Sequence, residues 1–408
     1  MYLKYIKNIF FSFEMLFVLF LFSGAIKSLA FLSWLPIDLT VLLTLLNFIA
    51  GFHFFLKRNF KFRLNKFMLI MNILVGSFFS WVLVSLVWSP SSDYALYKAI
   101  NILVLGGWSF FGGVFIVGSS VERVKLFFSL AAIFGVLFSM QYILLGFEYS
   151  QISVLQNLST DYIRTSTIIS TALLFFSTYY FMSINKSYLK NIFLILIQLY
   201  LLIIVLSLGA KGPMVGLFIS YVVLFLYLRA PQNKSFISGK TIKYFIFLVG
   251  ILYFLPSIDY EQFRSIKRFN DLVLNPEQQL EFGGRVWLNL SALNMWQESP
   301  IIGKGIGSFG LYVFSEDVRA YPHNIFLETM AELGLIGLLL VVAIFFVALK
   351  MVPRCNDLMF VVPYVFLIFY IITAQFSSTL SDHRILFTLL GIVSASSIYL
   401  SKPMQKKY

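Results

Sequence analysis

The residues best suited to chemistry lie in Tyr321-Pro322-His323-Asn324, just ahead of the apolar run 325–349. An imidazole titrates near neutral pH, so His323 suits the removal of a proton from a weakly acidic hydroxyl. An interfacial histidine that only forms hydrogen bonds fits the same spacing. Asn324 is placed to cap the helix that follows. Glu328 and Glu332 are four residues apart and share one face of that helix. At about 1.5 Å of rise per residue they lie one to two turns inside its mouth. Carboxylates are costly there and face either a polar cavity or a partner.

Cations form a second set. Gly283-Gly284-Arg285 precedes a run from Val286 to Trp296 in which Val286, Leu290 and Leu293 recur at helical spacing and Trp287 and Trp296 suit a membrane interface. Arg285 then falls in the first turn of a helix. There a guanidinium can bind two phosphate oxygens and the free N–H groups add attraction. Pairing with Glu281 or reaching toward lipid headgroups are the alternatives. Lys211, in Leu208-Gly209-Ala210-Lys211-Gly212-Pro213, is a cation near a positive helix end, since Pro213 suits the first helical position. It is either an anion site or a plain loop lysine. Arg164, three residues after Asp161, has the same two readings.

In Gly303-Lys304-Gly305-Ile306-Gly307 the alternating glycines permit tight turns and close approach of a ligand. Gly305 is therefore a substrate-contact candidate, together with Arg164, Asn324, Glu328 and Glu332. No strand precedes this segment, so it is not a dinucleotide fingerprint. Ser238-Gly239-Lys240-Thr241 fails as a phosphate loop because Lys234 stands where a glycine is needed. Asp259 and Glu261 make only a weak divalent-metal signal. His53 and His383 receive no role.

The elements that carry these residues follow from composition. Of the 408 residues, 59% are hydrophobic and only 12% charged, against about 25% charged in soluble domains. A soluble enzyme could not cover its surface, and one cysteine, Cys355, excludes an internal disulfide. The expected fold is an all-α, polytopic integral membrane protein with about 12 transmembrane helices and one long outside loop containing short helices. The apolar runs predict spans near 9–32, 35–56, 67–88, 96–118, 125–147, 162–183, 189–208, 213–229, 241–256, 325–349, 359–377 and 384–401. Three stretches result: 1–256 with nine spans, the loop 257–324, and 325–408 with three. The first span reads as retained rather than as a signal peptide, because it is long and contains Glu14. Most of the 31 basic residues fall in alternate loops, such as Lys57, Arg58, Lys61, Arg63 and Lys66. Lys27, Lys98, Arg164, Lys211 and Arg384 are assigned to the short loops of the other side. The positive-inside rule then makes both termini cytoplasmic. The net charge of +13 is mostly this signal, and nucleic acid is not an expected partner.

Three segments resemble the O-antigen polymerase and ligase superfamily. They are Gly284-Arg285 with Trp287, followed by Pro300 to Phe309; Tyr321-Pro322-His323-Asn324 through Glu332-Leu333-Gly334-Leu335-Ile336-Gly337; and Ser207 to Gly212, with Lys211 where the family has arginine. The resemblance implies a GT-C-like membrane glycosyltransferase of lipopolysaccharide biosynthesis in the bacterial inner membrane. It would invert the sugar, work at the periplasmic face and need no metal or other cofactor. The implied donor is an undecaprenyl-diphosphate-linked oligosaccharide, in contact with membrane lipids and with a chain-length-regulating co-polymerase as partner. Diphosphate binding would fall to Arg285 and Lys211, and acceptor activation to His323. Lysine at 211 keeps the charge but loses the two-point geometry. Polymerase is the first expectation, ligase onto lipid A-core the second, and a lipid-linked glycan flippase the third. A flippase fits less well, because transporters of this size are commonly built from repeated halves, and the sequence shows no repeat.

Reporter enzymes fused at Arg63 and at Asp271 test the topology. Cytoplasmic activity at Arg63 and external activity at Asp271 are expected; cytoplasmic activity at both would contradict it.

Overall fold

The computed structural model describes residues 12–27, 37–59, 64–144, 161–182, 187–229, 284–352, 358–376 and 379–400. These residues are all α, with no strand among them. In order they form α1 (Phe13–Ile26), α2 (Leu39–Lys57), α3 (Lys66–Val84), α4 (Tyr94–Ser119), α5 (Val121–Leu144), α6 (Asp161–Met182), α7 (Tyr188–Leu208) and α8 (Lys211–Arg229). There follow α9 (Gly284–Glu298), α10 (Phe309–Phe314), α11 (Ile325–Leu349), α12 (Leu358–Thr373) and α13 (Arg384–Leu400). Seven of them, α2 to α5 with α7, α8 and α11, are long and apolar enough to cross a membrane. In α2 the residues Leu45, Ile49, Phe52 and Leu56 recur every three or four positions and are exposed. That stripe is what a lipid-facing helix presents. The expected span 241–256, Asp259, Glu261, Glu281 and the Ser238–Thr241 segment lie outside the described residues.

The chain divides into two compact units. One comprises residues 1–45, 125–279 and 354–369. In it α6 packs on α7 and α8. The Ser177 hydroxyl donates to Gln198 Oε1 at 2.7 Å and meets the Tyr221 hydroxyl at 2.8 Å, so one polar knot ties the three helices. Such bonds matter between apolar helices, where hydrophobic association is weak. Helix α7 stops at Gly209, whose φ of 73° is left-handed. Helix α8 then begins at Lys211, which makes Pro213 its third residue rather than the expected first. The position is tolerated because the N–H groups of the first turn have no intrahelical partner to lose.

The second unit comprises residues 46–124, 280–353 and 370–408. Helix α4 contains two wide π turns, Asn101–Gly106 and Gly112–Ile116, and packs closely on α13. Its start is capped from a distant segment. Asp317 accepts bonds from the Ser91 hydroxyl at 2.6 Å, from Ser92 N–H at 3.0 Å and from Asp93 N–H at 2.9 Å. Burial works against ionisation of Asp317, but these bonds prevail and hold its carboxyl below the usual carboxylate range.

Helix α11 is broken at Gly334, where φ is 67° and ψ is −165°. The break frees carbonyls and N–H groups that cannot be left bare in an apolar setting. The 300–305 loop supplies partners. Lys304 N–H donates to Ala331 O at 3.0 Å and Gly305 N–H to Glu332 O at 2.8 Å. Leu335 and Ile336 N–H donate to Pro300 O and Ile301 O at 2.9 and 3.3 Å. The Trp81 indole N–H donates to Leu333 O at 2.9 Å. The Pro-Ile-Ile-Gly-Lys-Gly segment is thus the plug of a broken helix.

Gly334→Ala is expected to destabilise the fold. Its backbone region is essentially glycine-only, costing about 1–3 kcal/mol for another residue, and a Cβ there would overlap the Ile301 carbonyl. A thermal unfolding midpoint in detergent equal to that of the unsubstituted protein would contradict this.

Candidate active site

Arg285 is the second residue of α9, exposed at the helix start as the glycine-arginine pattern predicts. Its Nη1 donates to Phe376 O at 3.1 Å. Asn324 caps α11, its Oδ1 accepting from Phe326 and Leu327 N–H at 3.0 and 3.1 Å. The first N–H of that helix, on Ile325, donates to Ala374 O at 3.2 Å. The turn 374–376 therefore receives both the arginine and the start of the helix that His323 precedes.

His323 lies at the corner before this cap with φ of 60°, a left-handed conformation uncommon for a side-chain-bearing residue. Strain of this kind persists where the surroundings enforce it, and often at functional sites. Tyr321 packs edge-on against the imidazole, with ring centroids 4.5 Å apart. The Arg319 guanidinium lies 5.7 Å from the Tyr321 ring and is paired with Asp382 at 2.6 Å. Among the described residues, His323 Nδ1 is buried with no hydrogen-bond partner. Burial foremost, and then the Arg285 charge, push the imidazole from 6.5 down to about 4, against a smaller upward pull from Glu328. At neutral pH it is uncharged and able to accept a proton.

Glu328 and Glu332 have a partner. Both carboxylates are buried, and Lys98 Nζ lies 2.5 Å from Glu328 Oε1 and 2.7 Å from Glu332 Oε2. Glu328 also accepts from the Thr379 hydroxyl at 2.5 Å and from Leu380 N–H at 2.9 Å. The charge pattern of the sequence puts Lys98 in a short loop; the structure buries it in the second turn of α4, because two carboxylates compensate its charge. Its signal was a lysine just inside an apolar run, which in a spanning helix demands a partner.

The remaining candidates separate. Gly305 is buried against Ser89 with φ of 94°, and its N–H is given to the helix break. Lys211 is exposed at the first position of α8, and Arg164 is half-buried in the first turn of α6. Both belong to the first unit, whereas Arg285, His323, Asn324, Glu328 and Glu332 belong to the second.

Residues 195–342 match the family model described as O-antigen ligase. The match contains Lys211, Arg285, His323 and both glutamates; Arg164 and Lys98 lie outside it. It supports the O-antigen polymerase and ligase superfamily, whose members are glycosyltransferase-like enzymes acting on lipid-linked glycans in membranes. No curated protein matches the chain.

The site makes two predictions. Arg285→Ala should raise the titration midpoint of the His323 imidazole, followed by 15N NMR in nanodiscs; an unmoved midpoint would contradict their proximity. Asn324→Ala should cost about 0.5–2 kcal/mol of stability through loss of the cap, read from denaturant unfolding.

Proposed function

We propose that this chain acts within the O-antigen polymerase and ligase superfamily as a polymerase. It moves a growing glycan from undecaprenyl diphosphate onto a new lipid-linked repeat unit at the periplasmic face of the bacterial inner membrane. The observation that supports the site is that one turn, 374–376, bonds both the cation Arg285 and the start of the helix that an uncharged, strained His323 precedes.

The chemistry follows from charge. His323 takes the proton of the acceptor hydroxyl as its oxygen attacks the anomeric carbon. The bond from that carbon to the diphosphate oxygen breaks, and undecaprenyl diphosphate leaves with the bonding electrons. Negative charge grows on the leaving oxygen, and Arg285 neutralises it through two-point contact. Direct attack inverts the sugar, and the cation takes the part a metal would otherwise have. The diphosphate would pull the His323 midpoint upward, so the base strengthens when donor is bound. Lys211 is a further phosphate-binding cation on the strength of the motif it occupies, and Arg164 and Asn324 are contacts for the sugar or phosphate. A chain-length-regulating co-polymerase is the proposed protein partner.

The ligase reading is kept because of the description of the matched family. Purified protein in nanodiscs, supplied with synthetic undecaprenyl-diphosphate repeat units with and without lipid A-core, separates the two. A ladder of longer lipid-linked glycans from repeat units alone is expected. Product formed only on lipid A-core would make the chain a ligase, and none with either acceptor would contradict both. Arg285→Ala and Lys211→Ala should abolish extension. Arg285→Lys should be weak, and Lys211→Arg should stay active.

A further inference from the structure

Lys98 has no part in the chemistry above, yet its ammonium group joins α4 to α11. Its side chain is fully buried on α4. It binds Glu328 and Glu332 on the first half of α11, and Glu328 is bound in turn by Thr379 and Leu380. That half-helix, 325–333, is short. It lies between the left-handed corner at His323 and the break at Gly334. A helix of so few turns has no stability of its own, so outside bonds set its position. Ile325 N–H reaches the 374–376 turn at one end and the 300–305 loop holds the other. Between them, Lys98 binds both carboxylates of the half-helix with a full positive charge. Charge-assisted bonds are about twice as strong as neutral ones, and a carboxylate buried without its cation is strongly unfavourable.

We propose that Lys98 is a positioning residue for the transfer step: by gripping Glu328 and Glu332 it locks the first turns of α11, and with them the His323–Asn324 corner, onto α4. The proposal rests on the reading of His323 as the base. Without the ammonium the two carboxylates would face each other uncompensated, and the half-helix would shift or take up a proton. Either response reaches His323, whose charged surroundings are Arg285 on α9 and Glu328 on α11. The Arg319–Asp382 pair stands behind Tyr321, and buried His383 feels Glu328 and Asp382.

The test uses the full chain in nanodiscs with Lys98→Met and Glu332→Gln. Glu332→Gln removes one anchor without stranding a carboxylate. Three readouts are taken: the folded fraction by size exclusion, turnover per folded molecule with synthetic lipid-linked repeat units, and the His323 imidazole by 15N NMR. The protein has three histidines, so His53→Gln and His383→Gln assign the spectrum. Lys98→Met is expected to lower kcat roughly 10²-fold, as an ångström-scale misplacement does, with donor KM nearly unchanged and the His323 resonance displaced. Glu332→Gln should lower kcat by a smaller factor, about 10-fold, with the resonance displaced in the same sense. If Lys98→Met does not fold, Glu332→Gln decides. Wild-type kcat together with an unmoved His323 resonance in the folded variants would overturn the proposal, whether or not the folded fraction falls. If the unsubstituted protein transfers no glycan, the functional reading fails, and the imidazole spectrum still decides whether Lys98 positions His323.

Discussion

A helix interrupted in apolar surroundings must recover every backbone bond it loses, and the break at Gly334 shows how this chain does so. The carbonyls of Ala331, Glu332 and Leu333 and the N–H groups of Leu335 and Ile336 all find partners outside the helix. Most come from the 300–305 loop, which must therefore lie against α11. This places α9, which leads into the loop, beside the same helix. The arginine at the start of α9 and the histidine before α11 are in this way carried by elements tied to each other at their far ends.

Charge then refines what the backbone sets. Lys98, Glu328 and Glu332 are buried together, and the cost of removing each from water is offset by the others, with Thr379 and Leu380 adding two bonds to Glu328. Asp317 caps α4 from the segment leading to His323, so the helix that carries Lys98 is fixed at both its start and its buried lysine. Arg285 and the 374–376 turn close the arrangement. The histidine corner is over-determined, which is what a left-handed conformation requires.

Much of this was legible in the residues. Eleven of the apolar runs fall on described helices, seven of which are long and apolar enough to cross a membrane, and the run 241–256 lies outside the described residues. Asn324 as a cap and Arg285 in a first turn follow from local rules and hold. The partner of the two glutamates was not legible, because Lys98 is remote in sequence and only packing brings it there. The break at Gly334 was hidden for a similar reason: the run 325–349 reads as one continuous apolar helix, and its interruption depends on a loop that reaches it from elsewhere. The glycines of that loop suggested a ligand, and the structure gives the Gly305 amide to Glu332 instead.

The central claim is that an uncharged His323 accepts the acceptor proton. The most direct measurement is turnover per folded molecule against pH, for the unsubstituted protein and for His323→Ala, in nanodiscs with lipid-linked donor. The account predicts a rate that falls on the acid side through one ionisation, and a loss of roughly 10²–10⁴ in the variant together with that limb. Near-normal turnover in His323→Ala, or an acid limb that persists without the imidazole, would contradict it.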